Sequence, residues 1–179
     1  TGKIAIGLKE NDELVSVKLT SNEDQILIAA SNGKLIRFAN DDVRPMGRTA
    51  SGVRGINVDG GHVVGMTTDW EGQFIMAISE NGYGKMSPID DYRLSHRGGK
   101  GVKTMNTTVK TGQLVALRAV NGNEDLLIIT SEGIVIRLPM EQVKTAGRNT
   151  QGVRLIKVAE GSVVSSVDVV DKAEEDSEE

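Results

Sequence analysis

The fold is decided by the stretch QILIAASNGKLIRF, residues 25–38. It consists of an apolar run of strand length, the pair Asn32-Gly33, and a second apolar run. Asn-Gly between apolar runs is a strong hairpin signal, because both residues tolerate the positive φ angles of a tight type I′ turn. The stretch therefore predicts a β-hairpin.

The hairpin pattern occurs three times along the chain. Its turn glycines, Gly33, Gly82 and Gly133, lie 49 and 51 residues apart. Apolar runs precede them at 25–30, 73–78 and 125–130, and return strands follow at 34–38, 83–86 and 134–138. A period near 50 residues is in the range of propeller-type repeats.

Each hairpin is followed by a short polar segment and a basic, glycine-containing loop. The loops are RTASGVR (48–54), RGGKGVK (97–103) and RNTQGVR (148–154). After each loop we expect a third strand, at 55–58, 104–105 and 155–158. A fourth strand closes the unit, at 63–66, 114–117 and 163–167.

Four short strands per unit, without a long amphipathic helical stretch, predict an all-β array of propeller-like, four-stranded blades. Residues 2–17 match the closing half of a unit, so the chain holds about three whole blades plus part of a fourth. The expected units are 1–20, 21–70, 71–122 and 123–170 within one domain, 1–170. Because one unit cannot bury both faces of its sheet, neighbouring units must stabilise it. The start inside a strand pattern also suggests an excised fragment.

Composition limits the class of protein. The charged fraction of 26% and hydrophobic fraction of 38% are typical of a folded globular chain. No apolar run reaches the roughly 20 residues needed to cross a bilayer, so we expect no membrane partner. Cysteine is absent, which excludes disulfides and thiolate metal sites and fits a cytoplasmic location. Residues 171–179 carry six acids and one base, which predicts a disordered acidic tail.

Three cationic positions recur in all three units, and the middle unit adds further cations. The predicted binding residues are Arg44, Arg93 and Lys144; Arg48, Arg97 and Arg148; Arg54, Lys103 and Arg154; and, in the middle loop, His96, Gly98, Gly99, Lys100 and Gly101. Cations at a fixed period would meet a polyanion with regularly spaced charge, such as duplex DNA. Glycine permits close approach of the backbone to phosphate. With five aromatic residues, the chain lacks repeated platforms for stacking unpaired bases.

Two other interpretations stay open. The cations are alternatively solvated surface residues paired with Asp41, Asp90 and Glu141, as surface ion pairs are common and contribute little. A propeller scaffold that binds protein segments is the second functional hypothesis. Enzymatic interpretations have less support, because His62 and His96 show no metal-binding spacing and the middle loop lacks the G-x-x-x-x-G-K-[ST] arrangement. We predict no catalytic residues, no metal and no small-molecule substrate.

The middle loop resembles a known motif. Ser95-His96-Arg97-Gly98-Gly99-Lys100-Gly101 is similar to the Q-R-R-G-G-K-G box of the DNA gyrase A C-terminal domain. Residues 97–101 match by identity, His96 matches weakly, and Ser95 replaces the glutamine. The likeness extends over essentially the whole chain, and the paralogous domain of topoisomerase IV remains an alternative.

The resemblance implies a β-pinwheel, a propeller-like ring that usually has six blades and exchanges strands between neighbours, here an open array. It implies that duplex DNA wraps around the outer rim and so supports ATP-dependent negative supercoiling. The implied partners are double-stranded DNA, gyrase B and a second copy of gyrase A in the bacterial cytoplasm, associated with the nucleoid. ATP and Mg are expected elsewhere in the holoenzyme, with no cofactor in this region.

Overall fold

The computed structural model describes residues 1–172. Strands within this range alternate with three short 3-10 turns, at Asn40–Asp42, Ile89–Asp91 and Met140–Gln142. The strands are β1 (Gln25–Ala30), β2 (Lys34–Ala39), β3 (Val63–Thr68), β4 (Phe74–Ser79), β5 (Tyr83–Pro88), β6 (Val102–Lys103), β7 (Leu114–Val120), β8 (Asp125–Thr130), β9 (Val135–Pro139), β10 (Val153–Arg154) and β11 (Val164–Val170). The all-β prediction is confirmed.

The three predicted hairpins form as expected. β1–β2, β4–β5 and β8–β9 pair antiparallel, and their turn glycines Gly33, Gly82 and Gly133 have φ angles of 81°, 82° and 81°. Glycine adopts this left-handed region without the steric cost that a Cβ imposes. Each closing strand adds to the outer side of its own hairpin's first strand, as β3 does to β1.

The fourth strand of a sheet comes from the next unit along the chain. β6 pairs with β2 and β10 pairs with β5, which gives the sheet orders β3-β1-β2-β6 and β7-β4-β5-β10. The third sheet, β11-β8-β9, has three strands within the described residues. The structure thus has the strand exchange that the resemblance implied.

In the second and third units, the third strand lies directly before its predicted position in the sequence. Residues 55–58, 104–105 and 155–158 are not strands, and the pairing residues are instead the last two of the basic loops, 102–103 and 153–154. Beyond them, the Thr104 and Leu155 amides donate to Gly33 O and Gly82 O of the preceding turns, both at 2.8 Å. The loops themselves therefore supply the exchanged strands.

Of the three core clusters in residues 1–172, two lie between neighbouring sheets and the third belongs to the first unit alone. Leu27 and Leu35 of the first sheet pack with Ile75, Tyr92 and Leu117 of the second unit. A second cluster joins β4, β5 and β7 to β8, β9 and β11. The closing strand β7 lies beside both β3 and β11. The second unit is therefore stabilised from both sides, as expected for a repeat that cannot bury both faces alone.

Residues 1–24 contain no strand, although the sequence matched residues 2–17 to a closing half unit. The hairpin strands β1 and β2 already pair with β3 and β6, so neither hairpin strand has an edge free for this segment. Several of its apolar side chains are exposed, including Leu8, Val17 and Leu19. Of the predicted tail, Asp171 and Lys172 are described, and residues 173–179 lie outside the described residues.

Gly101 and Gly52 provide a matched test of the strand exchange. Both have positive φ, 72° and 80°, but a Cβ at Gly101 would collide with the Leu35 carbonyl, whereas one at Gly52 meets open space. We expect Gly52→Ala to cost about 1 kcal/mol of unfolding free energy, from backbone strain alone. Gly101→Ala should cost about 3 kcal/mol, measured by urea unfolding with circular dichroism. Equal losses would contradict the close approach of β6 to β2.

Candidate nucleic-acid interface

The basic loops lie at the outer edge of the array. We call residues 44–54, 93–103 and 144–154 the rim loops. The second and third rim loops run along the return strand of the preceding unit: the Ser95 amide donates to Arg37 O at 2.8 Å, and the Met86 amide donates to Lys144 O at 3.0 Å. β6 and β10 are edge strands, on the side of each sheet opposite the closing strands. The rim loops are therefore held on the side away from the line of closing strands.

Most of the predicted binding cations are exposed. Arg97 and Arg148 are half-buried, and the exposed side chains are Arg44, Arg48, Arg54, Arg93, His96, Lys100, Lys103, Lys144 and Arg154. Among the described residues, two members of this set contact carboxylates: Lys100 forms an ion pair with Asp59, and His96, which is charged only when protonated, lies beside Asp42. The arginines and the other two lysines have no ion-pair partner within residues 1–172, so their positive charge is not neutralised there.

The carboxylates that contact rim cations are not the expected Asp41, Asp90 and Glu141. His96 Nδ1 lies 3.4 Å from Asp42 Oδ2, and Lys100 Nζ lies 3.2 Å from Asp59 Oδ2. Glu141 pairs with Lys172 at 3.1 Å and not with a rim cation. His96 and Lys100 are largely exposed, at 98% and 57% of their side-chain area, so solvent screens both pairs.

The Arg97 side chain joins the second unit to the backbone of the first. Its Nε donates to Asp42 O at 2.9 Å and one terminal nitrogen donates to Arg54 O at 3.2 Å. Arg148 repeats the arrangement one unit later, donating to Asp91 O at 3.1 Å and to Lys103 O at 3.3 Å. A guanidinium presents several donors in a rigid fork, which suits such bridging. These two arginines tie each rim loop to the preceding one.

The loop glycines also have structural tasks. At Gly152 a Cβ would lie 2.5 Å from Gly84 O, which repeats the close approach of Gly101 to Leu35. The Gly98 amide donates to Gly55 O, so this amide is already used within the protein. Gly99 O accepts from the Asn57 amide at 2.8 Å. The middle box therefore packs against the segment that directly follows the first rim loop.

Sequence reasoning did not identify Lys85. It lies on β5, is fully buried, and donates from Nζ to Gly147 O at 2.7 Å and to Thr150 Oγ1 at 3.2 Å in the third rim loop. Burial lowers the pKa of Lys85 to about 8; the negative charge of Asp91 opposes this shift and Arg148 adds to it. The signal in the sequence is a lysine at the repeat position that Ile36 and Ile136 occupy in the other hairpins.

A known protein family matches most of the sequence. The family described as "DNA gyrase C-terminal domain, beta-propeller" matches residues 1–21, 24–68, 73–121 and 124–171. The chain belongs to this family. The resemblance inferred from the middle loop is thereby confirmed, and the matched region is the C-terminal domain of gyrase A and not its catalytic region.

Relatives support the same assignment. The DNA gyrase A proteins of two Staphylococcus aureus strains, MRSA252 and NCTC 8325, are 46% identical over 99% and 98% of this chain. The chain spans 20% of the length of these relatives.

Solved structures share the fold. The DNA gyrase A C-terminal domain has a TM-score of 0.86 at 23% identity, with 94% of this chain and 58% of that chain covered. The C-terminal domain of DNA topoisomerase IV also has a TM-score of 0.86, at 20% identity, with 93% and 53% covered.

Two further properties concern residues 1–172. None of the helices in this range is long and apolar enough to cross a bilayer. The same range holds no group of three or more His, Cys, Asp or Glu side chains placed to bind a metal ion.

Arg97→Lys separates the bridging task of this residue from its charge. The variant keeps a cation but loses the planar fork that reaches both carbonyls, so we expect the unfolding free energy to fall by about 1–3 kcal/mol. The measurement is urea unfolding, with Arg93→Lys as the exposed control, which should stay within about 0.5 kcal/mol of wild type. Equal stability of all three proteins would contradict the bridge.

Lys85→Met tests the buried ammonium. Between pH 8 and 10.5 the unfolded chain holds a proton that folded Lys85 has released, so this residue makes stability rise with pH across that window. The difference in unfolding free energy, wild type minus variant, should increase by up to about 1.4 kcal/mol per pH unit. Parallel pH profiles of the two proteins would show that Lys85 does not titrate in this window.

Proposed function

We propose that this chain binds duplex DNA along its rim loops and bends it, as the DNA-wrapping domain of a DNA gyrase. The observation that carries the proposal is the repeated row of exposed rim cations without carboxylate partners in the described residues. Duplex DNA carries one negative charge per about 1.7 Å of axis, so it can contact several loops at once.

The exchanged strands concentrate positive charge where neighbouring units meet. In the register of β2 with β6, Lys34 lies directly opposite Lys103. Like charges directly opposite each other across a strand pair are destabilising. At the same junction Arg97 lies against the backbone of Arg54. A bound polyanion would relieve this repulsion, and this favours phosphate as the partner of the rim.

Rim loops fixed to the protein backbone are suited to bending DNA. Bending a 20–30 base-pair site by 40–90° costs about 1–6 kcal/mol, and contacts spread along a curved surface offset that cost. The guanidinium bridges of Arg97 and Arg148 keep consecutive loops at a set spacing. Phosphate contacts of this kind carry little sequence information, so binding would be independent of sequence.

The family membership extends the proposal to the whole enzyme. We propose that the intact protein acts with gyrase B and a second copy of gyrase A in the bacterial cytoplasm, where wrapping by this domain supports negative supercoiling. ATP and Mg would be bound by other regions of the holoenzyme. The structural comparison does not separate gyrase from topoisomerase IV, because both domains match with the same TM-score. The 46% sequence identity to gyrase A favours gyrase.

The test removes the three cations that close the rim loops. We expect Arg54→Gln, Lys103→Gln and Arg154→Gln together to weaken duplex binding. The slope of log affinity against log salt should also fall by up to about 3, at about 0.9 per lost phosphate contact. Fluorescence anisotropy of a labelled duplex, titrated from low to high salt, measures both.

The control is Lys18→Gln, which removes a lysine that pairs with Glu71 at 2.6 Å and is not part of a rim loop. It should leave the salt slope unchanged. An unaltered slope in the triple variant would contradict the proposal, and salt-insensitive binding to a peptide with no DNA affinity would support the scaffold alternative.

A further inference from the structure

A basic pocket lies where the third rim loop crosses the second hairpin. It encloses about 300 Å³ and is lined by Tyr83, Lys110, Arg154 and Lys157 among others. These residues come from β5, from the turn before β7, from β10 and from the segment after β10. The pocket therefore exists only because the exchanged strand β10 pairs with β5.

Tyr83 organises two of the cations. Its side chain is buried, and Lys110 Nζ and Arg154 Cζ each lie 5.5 Å from the centre of its ring. Arg154 also donates to the Tyr83 hydroxyl oxygen at 3.1 Å. Burial alone would raise the pKa of Tyr83, but the hydrogen bond and charge of Arg154, with the charge of Lys110, hold it below its usual value. Cation–π contacts of this kind restrain long basic side chains.

The pocket is particular to this junction. At the preceding junction Lys34 takes the register position of Tyr83, and Lys103 takes that of Arg154. Asn106 follows Lys103 by three residues, as Lys157 follows Arg154, and accepts from Lys103 Nζ at 3.5 Å. The first junction thus lacks the aromatic ring and the third cation.

The charges define the ligand. Three cations and one carboxylate, that of Glu160, line the space, which leaves it positive. Tyr83 as a whole residue is 5% exposed, which leaves no open ring face on which a nucleic-acid base could stack. Arginine and lysine donors converging on a small open cavity suit a phosphate group.

We propose that the pocket formed by Tyr83, Lys110, Arg154 and Lys157 binds a backbone phosphate of duplex DNA and fixes the DNA at the second junction. This inference rests on the proposed DNA-binding function and adds Lys110 and Lys157 to the interface. Tyr83 is a positioning residue, since it acts through the cations that it restrains.

The test is lysine footprinting of the 179-residue chain. Sulfo-NHS-acetate acetylates exposed lysines, and mass spectrometry reports which lysines a ligand protects. The three arms contain duplex DNA, inorganic phosphate at the same phosphate concentration, or no addition. We expect DNA to protect Lys110 and Lys157 as strongly as Lys103, and inorganic phosphate to protect neither. Protection by inorganic phosphate alone would overturn the assignment to DNA.

Variants supply the second readout. Lys110→Gln with Lys157→Gln should lower duplex affinity about tenfold near 0.1 M salt and reduce the salt slope by up to about 2. The matched control, Lys18→Gln with Lys172→Gln, removes two lysines that pair with Glu71 and Glu141 and should leave both quantities unchanged. Tyr83→Phe keeps the ring but loses the hydroxyl that accepts from Arg154, so it should weaken duplex binding. Without DNA, acetylation of Lys110 and Lys157 should not increase in this variant.

The outcomes separate the two proposals. If the wild-type chain does not bind duplex DNA, the proposed function and the role of the pocket are both contradicted. If it binds with a steep salt dependence but Lys110 and Lys157 stay unprotected, and their double variant binds as wild type does, only the pocket proposal is wrong.

Discussion

The exchanged strand is the interaction on which the rest of the structure depends. The second and third rim loops each contribute two residues that complete the sheet of the preceding unit, Val102–Lys103 and Val153–Arg154. Each sheet otherwise has three strands and an open edge on its return strand. The pairing therefore closes a sheet and connects two units, and it places a basic residue on the outermost strand. Its backbone bonds require glycine at 101 and 152, because the chain passes directly over the preceding strand there.

This constraint explains why the cations divide into two groups. Arg97 and Arg148 face inward to the preceding unit and donate to its carbonyls, so they set the spacing between rim loops. The cations on either side of them in each loop point to solvent, and those without a carboxylate partner in residues 1–172 are available to a polyanion. The middle rim loop thus combines a structural arginine with exposed cations. Fold and proposed function depend on the same seven-residue loop.

Much of this arrangement follows from local sequence. The glycine turns predict the hairpins, and the glycine spacing predicts the repeat, because both signals act within a few residues. The position of the exchanged strand could not be predicted, since it depends on pairing between β2 and β6, which are more than 60 residues apart in sequence. The bridge made by Arg97 was missed for the same reason: an arginine in a glycine loop looks the same whether it contacts phosphate or a carbonyl. Lys85 breaks the apolar pattern of its strand, but only the structure shows its partner in the third rim loop.

The most direct test of wrapping is whether the rim bends DNA. Donor and acceptor dyes on the two ends of a duplex of about 40 base pairs report the end-to-end distance by energy transfer as the protein is added. Wrapping along the rim predicts that transfer rises with saturation and that the rise is lost in high salt. Saturable binding with no change in transfer would show that DNA stays straight on the protein, and it would contradict wrapping along the rim.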